Sequence, residues 1–319
     1  MSGRARGVAL VNALIVVAAL AAISTALLLR ADAARQRLEV QRSSDQVQLY
    51  LRGGALIVQD LLTDAAASGG GAIHLNQDWA RAVDEVQIDR GRIGWRMDDL
   101  QGRFNVNWLV RGVSDADPDQ SAPGLPTAQL ARAAFERLAR SAGASTLIAA
   151  RLADALDPVS GRRSAAFDSD HQPPALPLQS VAQLRNVRGV DGDMFARLEP
   201  LLAALPPQTG LNLNTALPEV LAAVVPNPSA VSRLTRTVAE RPFDTDAAAR
   251  EWIEAVLEQD APGVIAAFAP GASSQWFAAR LVVRLDVRLD MRVQRQTLVL
   301  HRDVPDRPAA IHWLEQEHE

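Results

Sequence analysis

Cysteine is absent from the 319 residues, which removes disulfide frameworks, thiolate-ligated zinc and thiol catalysis together. The absence does not fix the compartment, since a cysteine-free chain is compatible with oxidising or reducing surroundings. Lysine is absent as well. All 33 basic residues are arginine and the formal net charge is −4, so the chain as a whole carries no polybasic signature for nucleic acid. Histidines are few and scattered, at His74, His171, His301, His312 and His318, and neither His-Glu-x-x-His nor Gly-x-Ser-x-Gly occurs. Nothing therefore nominates a catalytic residue, and the expectation is a non-enzyme. His171 beside Asp170 is the one titratable pair of note, and a solvated loop accounts for it equally well. Ser68-Gly69-Gly70-Gly71 is followed by no phosphate-cradle pattern and reads as a loop. At 48% hydrophobic and 22% charged, the chain is an ordered one, long enough for about two domains beyond its apolar N-terminus.

That N-terminus is the most informative stretch. Residues Val8 to Leu29 form an uncharged run directly after Arg4-Ala5-Arg6-Gly7. At about 1.5 Å per residue, a helix of that length covers roughly 33 Å, enough to cross a bilayer. A short basic leader ending in Gly before such a run is the cut site of a type IV prepilin, whose cleavage leaves the apolar helix on the mature chain. Two other readings stay open: a plain membrane anchor, and a secretory signal cut near Ala31-Asp32-Ala33. A signal's apolar core is about 7 to 15 residues, shorter than this one. Arg4 and Arg6 on one side are matched by Arg30, Arg35 and Arg37 on the other, so charge does not decide orientation.

From Arg35 to Leu62, Leu38, Tyr50, Ala55, Leu56, Val58, Leu61 and Leu62 fall mostly at helical spacing, which predicts one long helix, half in lipid, broken at the glycine run. Arg92 to Met97 and Arg103 to Trp108 alternate apolar with polar around Asp98-Asp99-Leu100-Gln101-Gly102 and predict a β-hairpin. The strongest alternation lies near the C-terminus. Phe277, Ala279, Leu281, Val283, Leu285, Val287 and Leu289 share one face, predicting strands of a half-buried antiparallel sheet with a turn between Asp286 and Gln296. Between the two β regions the pattern is helical. Helices are predicted over 128–141, 145–156, 192–205, 217–225, 229–240 and 247–258, with Asp191, Thr215 and Thr245 as N-caps and Pro218 in a first turn. A helical block between two parts of one sheet is an α+β arrangement with two compact bodies.

With those elements placed, the chain resembles the type II secretion system protein K family, minor pseudopilins at the tip of the secretion pseudopilus. The resemblance rests on Arg6-Gly7-Val8-Ala9-Leu10, on Asp98-Asp99-Leu100-Gln101-Gly102-Arg103-Phe104-Asn105-Val106-Asn107, on Ser180 to Val190, and on Leu211-Asn212-Leu213-Asn214-Thr215-Ala216. It implies a leader over 1–7 cut by prepilin peptidase between Gly7 and Val8, methylation of the new N-terminus, and a transmembrane helix over 8–30. It further implies a pilin-like antiparallel β-sheet body over 31–113 and 273–319, with a large all-α domain inserted over 114–272. The implied location is the inner membrane, single-pass, with the bulk in the periplasm. The implied partners are minor pseudopilins I and J of the same system and secreted protein substrates. Where most pseudopilins carry Glu at the fifth mature position, this chain has Asn12. A neutral residue suits a subunit with no neighbour above it; it is equally what a tolerated polar residue in a membrane helix looks like. The family binds calcium through an acidic loop, implying Asp157, Asp168 and Asp170 as ligands here. The chain keeps Asp154-Ala155-Leu156-Asp157, Gly161 and Asp168-Ser169-Asp170, but lacks the family's Trp and has Pro158-Val159 in place of its second aspartate pair. Calcium takes about six to eight oxygen ligands, so this departure puts at least one site in question. Asp115-Ala116-Asp117-Pro118-Asp119 lacks the Gly and Glu of an EF-hand and reads as plain loop.

Two rivals share part of the pattern. A helix-hairpin-helix DNA-binding membrane receptor would use Leu184 to Leu198 and the segment before the helix at 217, but residues 114–272 hold 13 Arg against 19 Asp plus Glu, a net of −6. A phosphate binder needs the opposite sign, so no nucleic-acid partner is expected. A minor pilin of a type IV pilus shares the N-terminus without the helical insert.

Overall fold

The computed structural model describes residues 3–110, 124–157, 163–167, 173–287, 290–303 and 308–317. A single helix, α1 (Gly3–Ser68), opens the chain and ends at the glycine run. At about 1.5 Å per residue it is roughly 100 Å long. Strands β1 (Val83–Ile88) and β2 (Gly91–Asp99) follow, then the two-residue β3 (Phe104–Asn105). The helical body comprises α2 (Gly124–Ser141), α3 (Thr146–Leu156), α4 (Arg163–Ala166) and α5 (Gly192–Leu198), then the short β4 (Leu202–Ala203), then α6 (Pro218–Val224), α7 (Pro228–Glu240), α8 (Asp246–Leu257) and α9 (Ala261–Phe268). Strands β5 (Trp276–Val287), β6 (Asp290–His301) and β7 (Ala310–Glu317) close the chain.

One sheet runs β1-β2-β5-β6-β7, with every pair antiparallel. Its inner face is the expected alternation: Phe277, Ala279, Leu281, Val283 and Leu285 are all buried, joined by Ile93, Met97, Leu298 and Leu300. Val47, Leu51, Ala55, Val58, Leu62 and Ala65 of α1 recur every three or four residues and lie across that face. Full burial of each large aliphatic side chain contributes about 1.5–3 kcal/mol. Gly54 permits the close approach, since a Cβ there would stand 3.0 Å from Ile93 Cδ1 and 3.4 Å from Leu281 Cδ1. The β5–β6 turn falls between Val287 and Asp290, at residues outside the described set.

The second core is helical. Phe104, Trp108, Phe135 and Phe268 meet at its centre, with ring centroids 5.0 Å apart for Phe104 and Trp108 and 5.2 Å for Trp108 and Phe268. Ser145, Asp191 and Thr245 cap α3, α5 and α8, each accepting from the backbone N–H three residues on. Pro218 and Pro228 occupy first turns, where no N–H is required.

Three expectations are corrected. Arg103–Trp108 is not the partner strand of Arg92–Met97: β2 pairs with β1 and β5, while Phe104–Asn105 pairs in parallel with Leu202–Ala203 and Val106–Val110 is a 3-10 turn. Residues 104–110 thus already pack into the helical core. The helix expected over 192–205 stops at Leu198, because Pro200 has no N–H to continue the ladder, and the chain becomes β4. Thr215 does not cap α6. Its hydroxyl donates to Asp99, and the capping position is Leu217 with no side-chain bond.

Candidate functional site

Two regions stand out: the exposed length of α1 and the seam where the two bodies meet. Gly7, Val8 and Asn12 all lie on the α1 backbone; their side chains are outside the described set. From Leu14 onward the apolar part of the helix touches nothing else. Leu14, Leu20, Leu28 and Leu29 are each about 60–70% exposed, and this is the one helix among the described residues long and apolar enough to span a membrane. The exposed apolar surface continues past the lipid-length segment at Leu38, Val40, Leu49 and Leu56. Within a monomer such a rod is unfavourable, so it is a surface meant to be covered.

The seam is built by the Asn212-x-Asn214 run and one aspartate, and a second Asn-x-Asn run, Asn105 to Asn107, ties loops beside it within the helical body. Asn105 accepts from the N–H groups of Asn107 and Leu205 through Oδ1 and donates to Pro206 O at 3.0 Å. Asn107 donates to Leu178 O and Leu205 O and accepts from Leu178 N at 2.7 Å. Asn214 donates to Phe243 O and to Ile73 O and accepts from Phe243 N at 2.8 Å. Asn212 donates to Ile73 O, to Ser274 Oγ and to Asp99 Oδ2 while accepting from Asn214 N. An asparagine side chain carries both a donor and an acceptor group, so each stands in for a peptide unit and ties two chain segments that have no ladder between them.

Asp99, at the end of β2, is the hub. Its Oδ2 accepts from Ser274 Oγ and Thr215 Oγ1, both at 2.6 Å, and from Asn212 Nδ2 at 3.1 Å, while Oδ1 accepts from Gln101 N at 2.9 Å. Complete burial pushes its carboxyl pKa up, opposed by those hydrogen bonds. Gly102 sits where a Cβ would be 2.4 Å from Thr215 O, so glycine alone allows this crossing. Ile73, Asp99 and Ser274 come from the sheet body, Asn212 and Thr215 from the helical one. Two of the segments that carried the family resemblance therefore meet in space, a convergence that neither segment reveals separately.

The expected calcium loop is only partly described. Asp168, Asp170 and Gly161, and also His171, lie outside the described residues. Asp157, capping the C-terminus of α3, is 3.7 Å from Arg132 Nη1, and Asp154 is 2.8 Å from Arg132 Nη2. No cluster of three acidic or histidine side chains able to hold a metal occurs among the described residues. His74 is kept toward its neutral form by burial, with Asp244 opposing, and its Nδ1 is buried without a partner.

Comparison with known proteins places this architecture. The profile described as "Type II secretion system (T2SS), protein K" matches residues 102–207. Type II secretion system protein K of Pseudomonas aeruginosa is 30% identical over 242 residues, covering 68% of this chain and 67% of its own length. The chain belongs to the type II secretion system protein K family. The protein K of Pectobacterium carotovorum subsp. carotovorum is 27% identical over 298 residues, 89% of this chain and 90% of the relative. Among solved structures, the GspK-GspI-GspJ complex of the enterotoxigenic Escherichia coli type 2 secretion system holds a chain with TM-score 0.67 and 19% identity, covering 89% of this chain and all of that one. That likeness shows the fold: a long N-terminal helix, an antiparallel sheet and a helical insertion. As a member of the family the protein is a minor pseudopilin of type II secretion, a structural component of the secretion machinery.

Proposed function

We propose that this pseudopilin caps the tip of the pseudopilus, anchored in the inner membrane by residues 8–30 with its bulk in the periplasm, and takes part in export across the outer membrane. In this reading prepilin peptidase cuts between Gly7 and Val8 and the new N-terminus is methylated. The observation that carries it is the combination on one chain of a helix exposed along more than half its length and a helical body of over a hundred residues set beside the sheet. The first packs into a fibre; the second is too bulky to repeat along one. Asn12 supports the same end position, since it offers no charge to a neighbour's amino group.

The partners are minor pseudopilins I and J, a reading supported by the complex in which the structurally similar chain was solved. Contacts run through α1 beyond Arg35 and the sheet body, where the exposed leucines lie. Co-expression of the chain lacking residues 1 to about 30 with equivalently truncated I and J proteins, followed by size-exclusion chromatography with light scattering, should give a 1:1:1 complex. Homopolymeric fibres of this chain alone would overturn the tip assignment.

Calcium binding by Asp157, Asp168 and Asp170 belongs to the same proposal. A cation there would compete with Arg132 for Asp157, which makes the loop a weaker site than one whose carboxylates are free.

A further inference from the structure

The outer face of the sheet, away from α1, pairs arginine with arginine across strands. Arg92 of β2 stands directly opposite Arg284 of β5, and Arg96 directly opposite Arg280. Like charges in direct register destabilise a sheet. The first pair is bridged: Glu85 of β1 reaches Arg92 at 2.9 Å and Arg284 at 3.4 Å. The second is not. Asp98, two residues along β2 from Arg96, is taken by Arg280 at 2.9 Å and again by Arg103 at 3.2 Å. The Arg96 side chain is left with no ion pair or hydrogen bond to any described residue. Asp99 is fully engaged and held toward its neutral form by burial, and Glu199 faces Arg185 at 4.0 Å, so neither supplies the missing charge. Burial lowers the pKa of Arg103, opposed chiefly by Asp98 and less by Asp99 and Glu199, while the Arg280 charge lowers it further.

These guanidinium groups line a cleft of about 550 Å³ at the seam between the two bodies, with Leu75, Trp79, Pro200 and Leu217 as apolar walls. Leu75 is 58% exposed at the cleft, an unburied leucine beside uncompensated charge. We propose that this cleft receives an acidic, partly apolar segment of a partner protein, whose carboxylate bridges Arg96 and Arg280 as Glu85 bridges Arg92 and Arg284. The planar guanidinium matches a carboxylate in shape as well as charge, and the apolar walls favour a peptide over a bare ion.

The test uses the full chain in detergent micelles and a fluorescein-labelled peptide alternating Leu with Glu and Asp. Anisotropy should show saturable binding at about 50 mM salt that weakens at least tenfold at about 500 mM. An Arg96→Ala/Arg280→Ala variant should lose at least tenfold in affinity, while Arg236→Ala, on an exposed face of α7, should bind as the parent does. Arg96→Glu places opposite charges in register, so it should abolish peptide binding while leaving the melting temperature unchanged or raising it by up to about 3 °C. Equal binding by a Gln and Asn version of the peptide would overturn the proposal. So would affinity unchanged in both variants, or stabilisation by inorganic phosphate with no peptide binding.

Discussion

Replacing Asp99 by alanine tests the idea that the seam holds the two bodies together. Four donors converge on this carboxylate, but they do not lose equally when it goes. Asn212 Nδ2 keeps Ile73 O at 3.1 Å and Ser274 Oγ at 2.8 Å, and the Ser274 and Thr215 hydroxyls can rotate toward other acceptors. Gln101 N–H, in a buried residue, has no such choice. An orphaned buried donor costs about 1–3 kcal/mol, and the hydroxyl bonds add about 0.5–1.5 kcal/mol each, so Asp99→Ala should destabilise by about 3 kcal/mol. For a chain of this size that lowers the melting temperature by roughly 4–6 °C. Differential scanning calorimetry in detergent should also show one transition splitting into two, because the helical body would no longer melt with the sheet. A shift under about 2 °C with a single transition would refute this account of the seam.

The same residue gives a pH signature. Burial raises the folded-state pKa of Asp99 above the unfolded value of about 3.9, so the native state holds the proton more tightly. Its contribution is therefore complete below the unfolded pKa and is lost as pH rises through the folded one. The stability difference between the parent and Asp99→Asn, which stays neutral, should be largest in acid and shrink upward through that window. A difference that grows with pH would mean that the hydrogen bonds to the ionised form outweigh burial.

Intact mass and N-terminal sequencing of the membrane-extracted protein from its host should give Val8 as first residue; a start at Met1, Asp32 or Arg35 would sink the prepilin reading. Leu51→Ala, at a position 1% exposed between α1 and the sheet, should cost about 2–5 kcal/mol by chemical denaturation. Gly54→Val should cost about 1–3 kcal/mol, because its first carbon meets Ile93 Cδ1 at 3.0 Å and the helix must lift from the sheet; parent-like stability would show that the sheet yields. Chelation with EGTA should lower the melting temperature if calcium is bound, and Asp168→Ala/Asp170→Ala should abolish that response; no shift in the parent would remove the metal.

What the sequence made legible was whatever depends on a local period. The length of α1, its break at the glycines and the buried face of β5 are all readable from spacing, because composition on each face is enough to place them. Spacing misled where the partner is distant. Phe104-Asn105-Val106-Asn107-Trp108 alternates like a strand, but Asn105 and Asn107 turn to loops about 70–100 residues away, so the alternation separates core aromatics from buried amides and not core from solvent. Thr215 reads as a cap because threonine before Pro218 and Glu219 has the right chemistry, yet its hydroxyl is claimed by an aspartate from another body. Helix α9 gives no period, being apolar nearly all round with Pro262-Gly263 in its first turn, which reads as a break. Of the residues named for function, Gly7 and Val8 were placed by local pattern, and Asn12 by the family resemblance. Asp99 and Asn212 became visible only when the chain folded.

That contrast explains the form of the seam. A helical body inserted into a sheet body is tied to it covalently at only two crossings, near Arg103 and near Ala272. Two covalent tethers leave hinge freedom, and an apolar interface at that point would exclude little water across loops without a ladder. Buried side chains that carry both donors and acceptors solve the difficulty, because each satisfied amide fixes a direction as well as a distance. Asn212 reaches Ile73, Asp99 and Ser274, three separate segments of the sheet body, from one side chain. A glutamine there would overreach by a methylene, and a leucine would strand at least one buried acceptor. The orientation of the helical body on the sheet, and with it the shape of the cleft between Arg96 and Arg280, is thus set by a handful of polar side chains together with the small apolar cluster of Ala203, Leu205 and Trp276 at the same crossing.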